Sequence, residues 1–194
     1  SYYAYAPYQS IGAGGTSVDF SIKTDQSGSE YMQASDLLYA AGNVDDPTLA
    51  ITFSHKLSKL TVTVTKKGEE NPIEVGDVTL RGTVPTATLD LTSGDVAASG
   101  TETDITMCPT GTTGTYECIL VPQEATYSVL INAEVGSEQK TYVYTPSAPQ
   151  EFLENKSYTL TLTVKNADVS MGNIGVNDWD GDDIPLTAGE ATEK

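Results

Sequence analysis

Three groups of residues combine type and spacing in ways that bear on chemistry: the single histidine, His55, the two cysteines, Cys108 and Cys118, and the acidic run Asp178, Asp180, Asp182 and Asp183 around Gly181. An acid–base or nucleophilic site needs a nucleophile, a base and an orienting group that converge. His55 stands in Ile51-Thr-Phe-Ser-His-Lys-Leu57 between two strand-like stretches and reads as a structural residue at a strand junction. No Gly-x-Ser-x-Gly turn supplies a serine to it. Two cysteines and one histidine at these spacings make no four-ligand zinc set, and no phosphate-binding glycine loop occurs. The expectation is a non-enzyme without cofactor.

Asp178, Asp180 and Asp182 alternate, so their oxygens could gather on calcium. The pattern departs from the helix-flanked calcium loop, because Gly181 comes too early and Gly189 stands where the bidentate glutamate belongs. An exposed acidic turn is the simpler reading. Nine residues, including Pro109, Gly111 and Gly114, separate Cys108 from Cys118, which suits two strands joined by a turn. A cross-strand disulfide and a pair of buried thiols are both open at this level. Trp179, the only tryptophan, reads as core, with a sugar-stacking platform as the sharper alternative.

The elements that would position these groups are strands. In Leu60-Thr-Val-Thr-Val64 and in Tyr158-Thr-Leu-Thr-Leu-Thr-Val164 apolar residues alternate with threonines, the period of a half-buried strand. Further strands are expected at 49–53, 73–81, 87–91, 103–107, 115–121, 127–135, 140–144 and 169–179, separated by turn signals such as Ser93-Gly94 and Val135-Gly136. Only 31–41 has room for a helical turn or two. Many short strands, each with one apolar face, imply antiparallel sheets packed face to face.

The chain has 194 residues and a formal net charge of −17, from 10 Lys and Arg against 27 Asp and Glu. Such a surface repels phosphate backbones and anionic lipid heads, so nucleic acid and membrane surfaces are not expected partners. No apolar run approaches the roughly 20 residues of a spanning helix. The opening Ser1-Tyr-Tyr-Ala-Tyr-Ala-Pro-Tyr8 reads like the middle of a domain, as in a processed or trimmed chain. A boundary is expected at Gly42 to Pro47, which divides the chain into 1–46, the end of a first β domain, 47–180, a second β-sandwich domain, and 181–194, an acidic tail.

Several phrases in order resemble the fimbrillin family of type V pili from Gram-negative anaerobes. They are Tyr2 to Tyr8, Ser35-Asp-Leu-Leu-Tyr-Ala40, Ile51-Thr-Phe-Ser-His-Lys-Leu-Ser-Lys-Leu60, the Val121-Pro122 step, Tyr158 to Val164 and Ile174 to Trp179. The resemblance implies transthyretin-like β-sandwich domains in a secreted lipoprotein precursor, displayed on outer-membrane-associated fimbriae at the cell surface. It implies other fimbrial subunits as partners, joined by β-strand addition, and contact with a host or bacterial surface ligand. A stalk, tip or anchor role is left open, and a surface-anchored module binding glycan or peptide is the alternative. In the tail, Ile184, Leu186 and Ala188 alternate as a polymerisation strand would, although Pro185 lacks the N–H that such a strand donates.

Overall fold

The structure is a computed structural model that describes residues 1–11, 14–44, 51–67, 72–165, 168–178, 183–186 and 190–192. In chain order its elements are β1 (Tyr2–Ala6), β2 (Ser17–Ser21), helix α1 (Ser29–Ser35), β3 (Leu38–Gly42), β4 (Ser54–His55), β5 (Ser58–Lys67), β6 (Ile73–Arg81), β7 (Thr86–Asp90) and β8 (Val96–Ala98). Then follow β9 (Ile105–Thr106), β10 (Cys108–Pro109), β11 (Thr115–Leu120), β12 (Gln123–Ala125), β13 (Ser128–Val135) and β14 (Glu138–Tyr144). The chain continues through β15 (Gln150–Phe152), β16 (Lys156–Lys165), β17 (Asp168–Asp178), β18 (Asp183–Leu186) and β19 (Glu190–Thr192).

The larger sheet, sheet I, runs β10-β11-β5-β16-β17-β18, with β19 also on β17; sheet II runs β14-β13-β6-β9. Alternation explains why they pack. Leu60, Val62 and Val64 on β5 and Leu160, Leu162 and Val164 on β16 face Val78, Leu80, Val129 and Ile131 of sheet II, and all lie in one buried cluster. Each such side chain contributes roughly 1.5–3 kcal/mol by leaving water. Tyr127, Phe152 and Tyr158 join the cluster edge to face, with centroids 5.5 and 5.1 Å apart. Across the gap, the Tyr116 hydroxyl donates to the Gly76 carbonyl at 2.8 Å. That carbonyl lies where β6 carries an extra residue relative to β13.

The strand expectations at 73–81, 115–121, 127–135 and 140–144 match β6, β11, β13 and β14 to within a residue or two at each end. Three of the differences bear on how the sheets are built. The pairing is not antiparallel throughout: β5 and β16 lie side by side in parallel, Leu60 beside Tyr158 and Val64 beside Leu162. Periodicity reports which face a residue buries, not which neighbour its backbone takes. The helix covers Ser29–Ser35 and stops, because residues from Leu38 onward find backbone partners in β1 and β4. No strand covers 51–53, where Ile51 and Phe53 are 44% and 42% exposed; pairing begins at Ser54.

The boundary is expected at Gly42 to Pro47, and residues 45–50 lie outside the described residues. On one side of them Val18, Phe20, Ile22, Leu37 and Tyr39, and on the other Leu57 and Leu60, share one buried cluster. β2 pairs with β7, Phe20 opposite Ala87, which ties the amino-terminal segment to a strand from the later part of the chain.

Candidate functional site

In an all-β protein the groups able to recognise another chain are unpaired strand margins and concave faces. The two margins of sheet I are built differently. At the first, residues 105–109 cross between sheets: Thr106 pairs with Thr79 of sheet II, and Cys108 pairs with Glu117 of sheet I. β10 has only two residues, one of them a proline, so it offers little backbone for extension.

Beyond it, Gln26 finishes the margin with its side chain. Its Oε1 accepts from the Ile119 N–H at 2.8 Å, and its Nε2 donates to the Ile119 carbonyl at 2.8 Å and to the Lys23 carbonyl at 2.9 Å. A fully buried amide thus stands in for one residue of a neighbouring strand. Gln123 does the same for Val84, accepting from its N–H at 2.9 Å and donating to its carbonyl at 3.0 Å. Neither residue is legible as special in the sequence, since Thr24 to Gly28 reads as an ordinary polar loop.

The two cysteines flank this margin as free thiols. Register sets the two apart. Cys108 lies opposite Glu117, so Cys118, one residue on, points to the other face of the sheet. Burial raises the pKa of both, and Glu117 adds to the effect, so both are held as neutral thiols.

At the second margin β17 is eleven residues long. Its outer edge is met by the chain's own tail: Ile174 lies opposite Leu186, Val176 opposite Ile184, and Asp168 to Ser170 opposite Thr192 to Glu190. Of the proposed polymerisation residues, Ile184 and Leu186 are therefore in β18, with Pro185 opposite Gly175, whereas Ala188 lies outside the described residues. β19 also lies against β14, in the seam between the two sheets. Asp178 ends β17; Trp179, Asp180 and Asp182 lie outside the described residues, so the calcium pattern has no geometry to weigh.

Two hollows lie on the outer faces. One, of about 400 Å³, sits between α1 and β11, floored by Met32 and Ile119. His55 Nδ1 lies 2.9 Å from Asp36 Oδ1 at its rim, and Lys59 Nζ lies 2.8 Å from Glu117 Oε1. Cys108 lines it too, but as a protonated thiol beside a carboxylate it is a poor nucleophile. His55, expected at a strand junction, is in β4 and fastens it to the end of α1. The other hollow, of about 790 Å³, lies on the outer face of sheet II around Leu130 and Val143. Among the described residues no group of three or more His, Cys, Asp or Glu converges as metal ligands would.

Comparison with known proteins gives these features a context. The model of the fimbrillin-like family matches residues 1–179. A Bacteroides uniformis protein provisionally named fimbrium subunit Fim1C is 28% identical over 191 residues, an alignment covering 91% of this chain and 60% of that protein. The chain thus spans about 60% of the length of that curated relative. A crystal structure of a provisionally assigned cell adhesion protein from Bacteroides uniformis superposes with a TM-score of 0.69 at 25% identity, covering 91% of this chain and 72% of that one. A second such protein, from Bacteroides ovatus, has a TM-score of 0.68 at 20% identity over 98% of this chain and 66% of its own, a likeness of fold. Matched over nearly its whole length by the family model, the chain belongs to the fimbrillin-like family.

Proposed function

We propose that the chain is part of a structural or adhesive subunit of cell-surface fimbriae, carried outside the cell, that joins neighbouring subunits by β-strand addition. The family match over residues 1–179 carries this reading. The fimbrial and cell-adhesion names of its relatives agree with it.

The margin of β17 suggests how addition would work. A strand 11 residues long exposes alternating N–H and C=O groups that gain hydrogen bonds from any extended segment laid beside them. The tail strands β18 and β19 are only 4 and 3 residues long, so what holds them is replaceable by the same groups on another chain. In this reading residues 183–194 leave β17 and pair with a neighbouring subunit, while the vacated edge accepts a strand in turn. Pro185 would face away from the acceptor, as its missing N–H requires.

Electron microscopy of cells carrying the full protein with residues 183–194 deleted tests the tail. Loss of filaments, with the subunit still exported, is the expected result. Normal filaments would remove the tail from assembly, and absence of filaments from cells with the intact gene would remove the fimbrial reading itself.

A further inference from the structure

The outer face of sheet II is not uniform. Strand pairing arranges it as a lattice in which Leu130 lies between Val143 on β14 and Thr79 on β6, with Asn132 opposite Thr141, Ser128 opposite Arg81 and Thr79 opposite Thr106. Toward the β13–β14 turn the same face becomes acidic, with Glu134 beside Glu74. The other end is the hollow of about 790 Å³, and its one carboxylate, Asp104, is neutralised by Arg81, whose Nε donates to Asp104 Oδ2 at 2.8 Å. On a chain of net charge −17 this is a concave surface without uncompensated charge.

We propose that this hollow is a binding site for a neutral oligosaccharide. At its centre two aliphatic side chains, Leu130 and Val143, are half-buried on the solvent side of the sheet, where alternation would place polar residues. They form a small apolar floor suited to the C–H face of a sugar ring. Hydroxyl, amide and guanidinium groups surround it, and two of the donors, Asn132 and Arg81, are held in orientation. The Thr141 hydroxyl donates to Asn132 Oδ1 at 2.8 Å, which turns the Asn132 amide nitrogen outward as a donor. Arg81 is fixed by Asp104 through a single nitrogen of its planar fork.

Scale agrees with chemistry. Neighbouring strands lie about 4.8 Å apart and alternate residues about 6.7 Å apart along a strand, so the polar groups repeat on the scale of a pyranose ring. Threonine on an exposed strand is ordinary. A hollow centred on outward-facing Leu130 and Val143, ringed by oriented donors, is not.

Other ligand classes fit less well. Anions meet the field of a −17 chain, and cations find no unpaired carboxylate in the hollow. An added strand needs a backbone margin, whereas this is the middle of a face. The proposal is independent of fimbrial assembly, since a soluble chain unable to polymerise carries the whole hollow.

An array of neutral oligosaccharides, followed by NMR titration of the intact chain with each soluble hit, tests it. The expected result is saturable binding, with shifts at the Asn132 side-chain amide, Arg81 Nε and the Leu130 and Val143 methyls. Asn132→Ala and Arg81→Met, at exposed positions that leave melting unchanged, should each weaken binding at least tenfold. Sialylated or sulfated versions of the same glycan should bind more weakly than the neutral form. No binding of any neutral oligosaccharide at millimolar concentration, shifts that map elsewhere, or unchanged affinity in both variants would overturn it.

Discussion

The two margins of sheet I end in contrasting ways. Around β10 the margin is closed by parts that cannot leave without unfolding the protein: a two-residue strand containing Pro109, a chain crossing from sheet to sheet, and the buried amide of Gln26 on both backbone groups of Ile119. Around β17 it is met by the backbone pairing of two short strands of the tail, on an edge of 11 residues. Side-chain closure is specific to one partner. Backbone closure is generic, and another strand can substitute for it. The same sheet thereby has a sealed side and an exchangeable side.

The sharpest way to break this contrast is Gln26→Leu. The substitution keeps the volume but leaves the N–H and C=O of Ile119 and the Lys23 carbonyl without the amide. Each buried group left unpaired costs about 1–3 kcal/mol, so a loss on the order of 3–5 kcal/mol is expected in chemical denaturation. For a chain of this size that lowers the melting temperature by on the order of 10 °C. A loss below about 1 kcal/mol would mean the margin is sealed by something other than the glutamine. Gln123→Leu should cost less, because Gln123 is only half-buried.

Gly114→Ala probes the hairpin that brings β10 and β11 together. Gly114 has φ +74, and a Cβ there would stand 2.5 Å from the carbonyl oxygen of Val64, whose own N–H donates to the Gly114 carbonyl at 2.7 Å. Left-handed backbone for alanine plus displacement of β5 should cost about 2–3 kcal/mol. If stability were unchanged, the turn would be looser than its contact with β5 implies.

The alkaline limb of stability reports buried groups, Cys118 of the sealed side among them. Cys118 and Tyr127 have pKa values raised chiefly by burial, so the folded chain keeps protons that the unfolded chain releases. Stability from a raised pKa is fully present below the unfolded value and is lost as pH rises through it. Unfolding free energy should therefore be level from pH 6 to 8 and fall above about pH 9, by about 1.4 kcal/mol per pH unit for each retained proton. Cys118→Ala should remove about one proton from that slope between pH 9 and 10. An unchanged slope would mean the thiol ionises in the fold.

The sequence makes the middle of sheet I plain and its margins obscure. Leu60, Val62, Val64, Leu160 and Leu162 all bury the face that alternation assigns to them. Their parallel adjacency is invisible, because it depends on backbone partners nearly 100 residues apart, as between Leu60 and Tyr158. β2 is absent from the expected strands although Val18 and Phe20 alternate with Ser17, Asp19 and Ser21, and its partner β7 lies far along the chain. Gln26 carries no local signal, since its role exists only once Ile119 arrives beside it. The tail shows its alternation at Ile184 and Leu186, whereas Leu130 and Val143 interrupt theirs, as apolar residues between apolar neighbours. What is local is legible; what needs two distant segments is not.

Deleting residues 183–194 should have the smallest effect on global stability and yet decides the comparison. The tail pairs with β17 at seven positions, Ile174 to Asn177 and Asp168 to Ser170, all on one edge. Its removal should change unfolding free energy by less than about 1 kcal/mol, because exposed hydrogen bonds on a short edge contribute little net. Hydrogen exchange should nevertheless speed up at the β17 amides that bonded the tail and stay unchanged at β11 and around Ile119. A synthetic peptide of residues 183–194 added in trans should restore slow exchange on β17 alone. If deletion instead unfolded the sandwich, or if the peptide protected β11 as well, the two margins would not differ in kind, and backbone exchange at β17 would lose its physical basis.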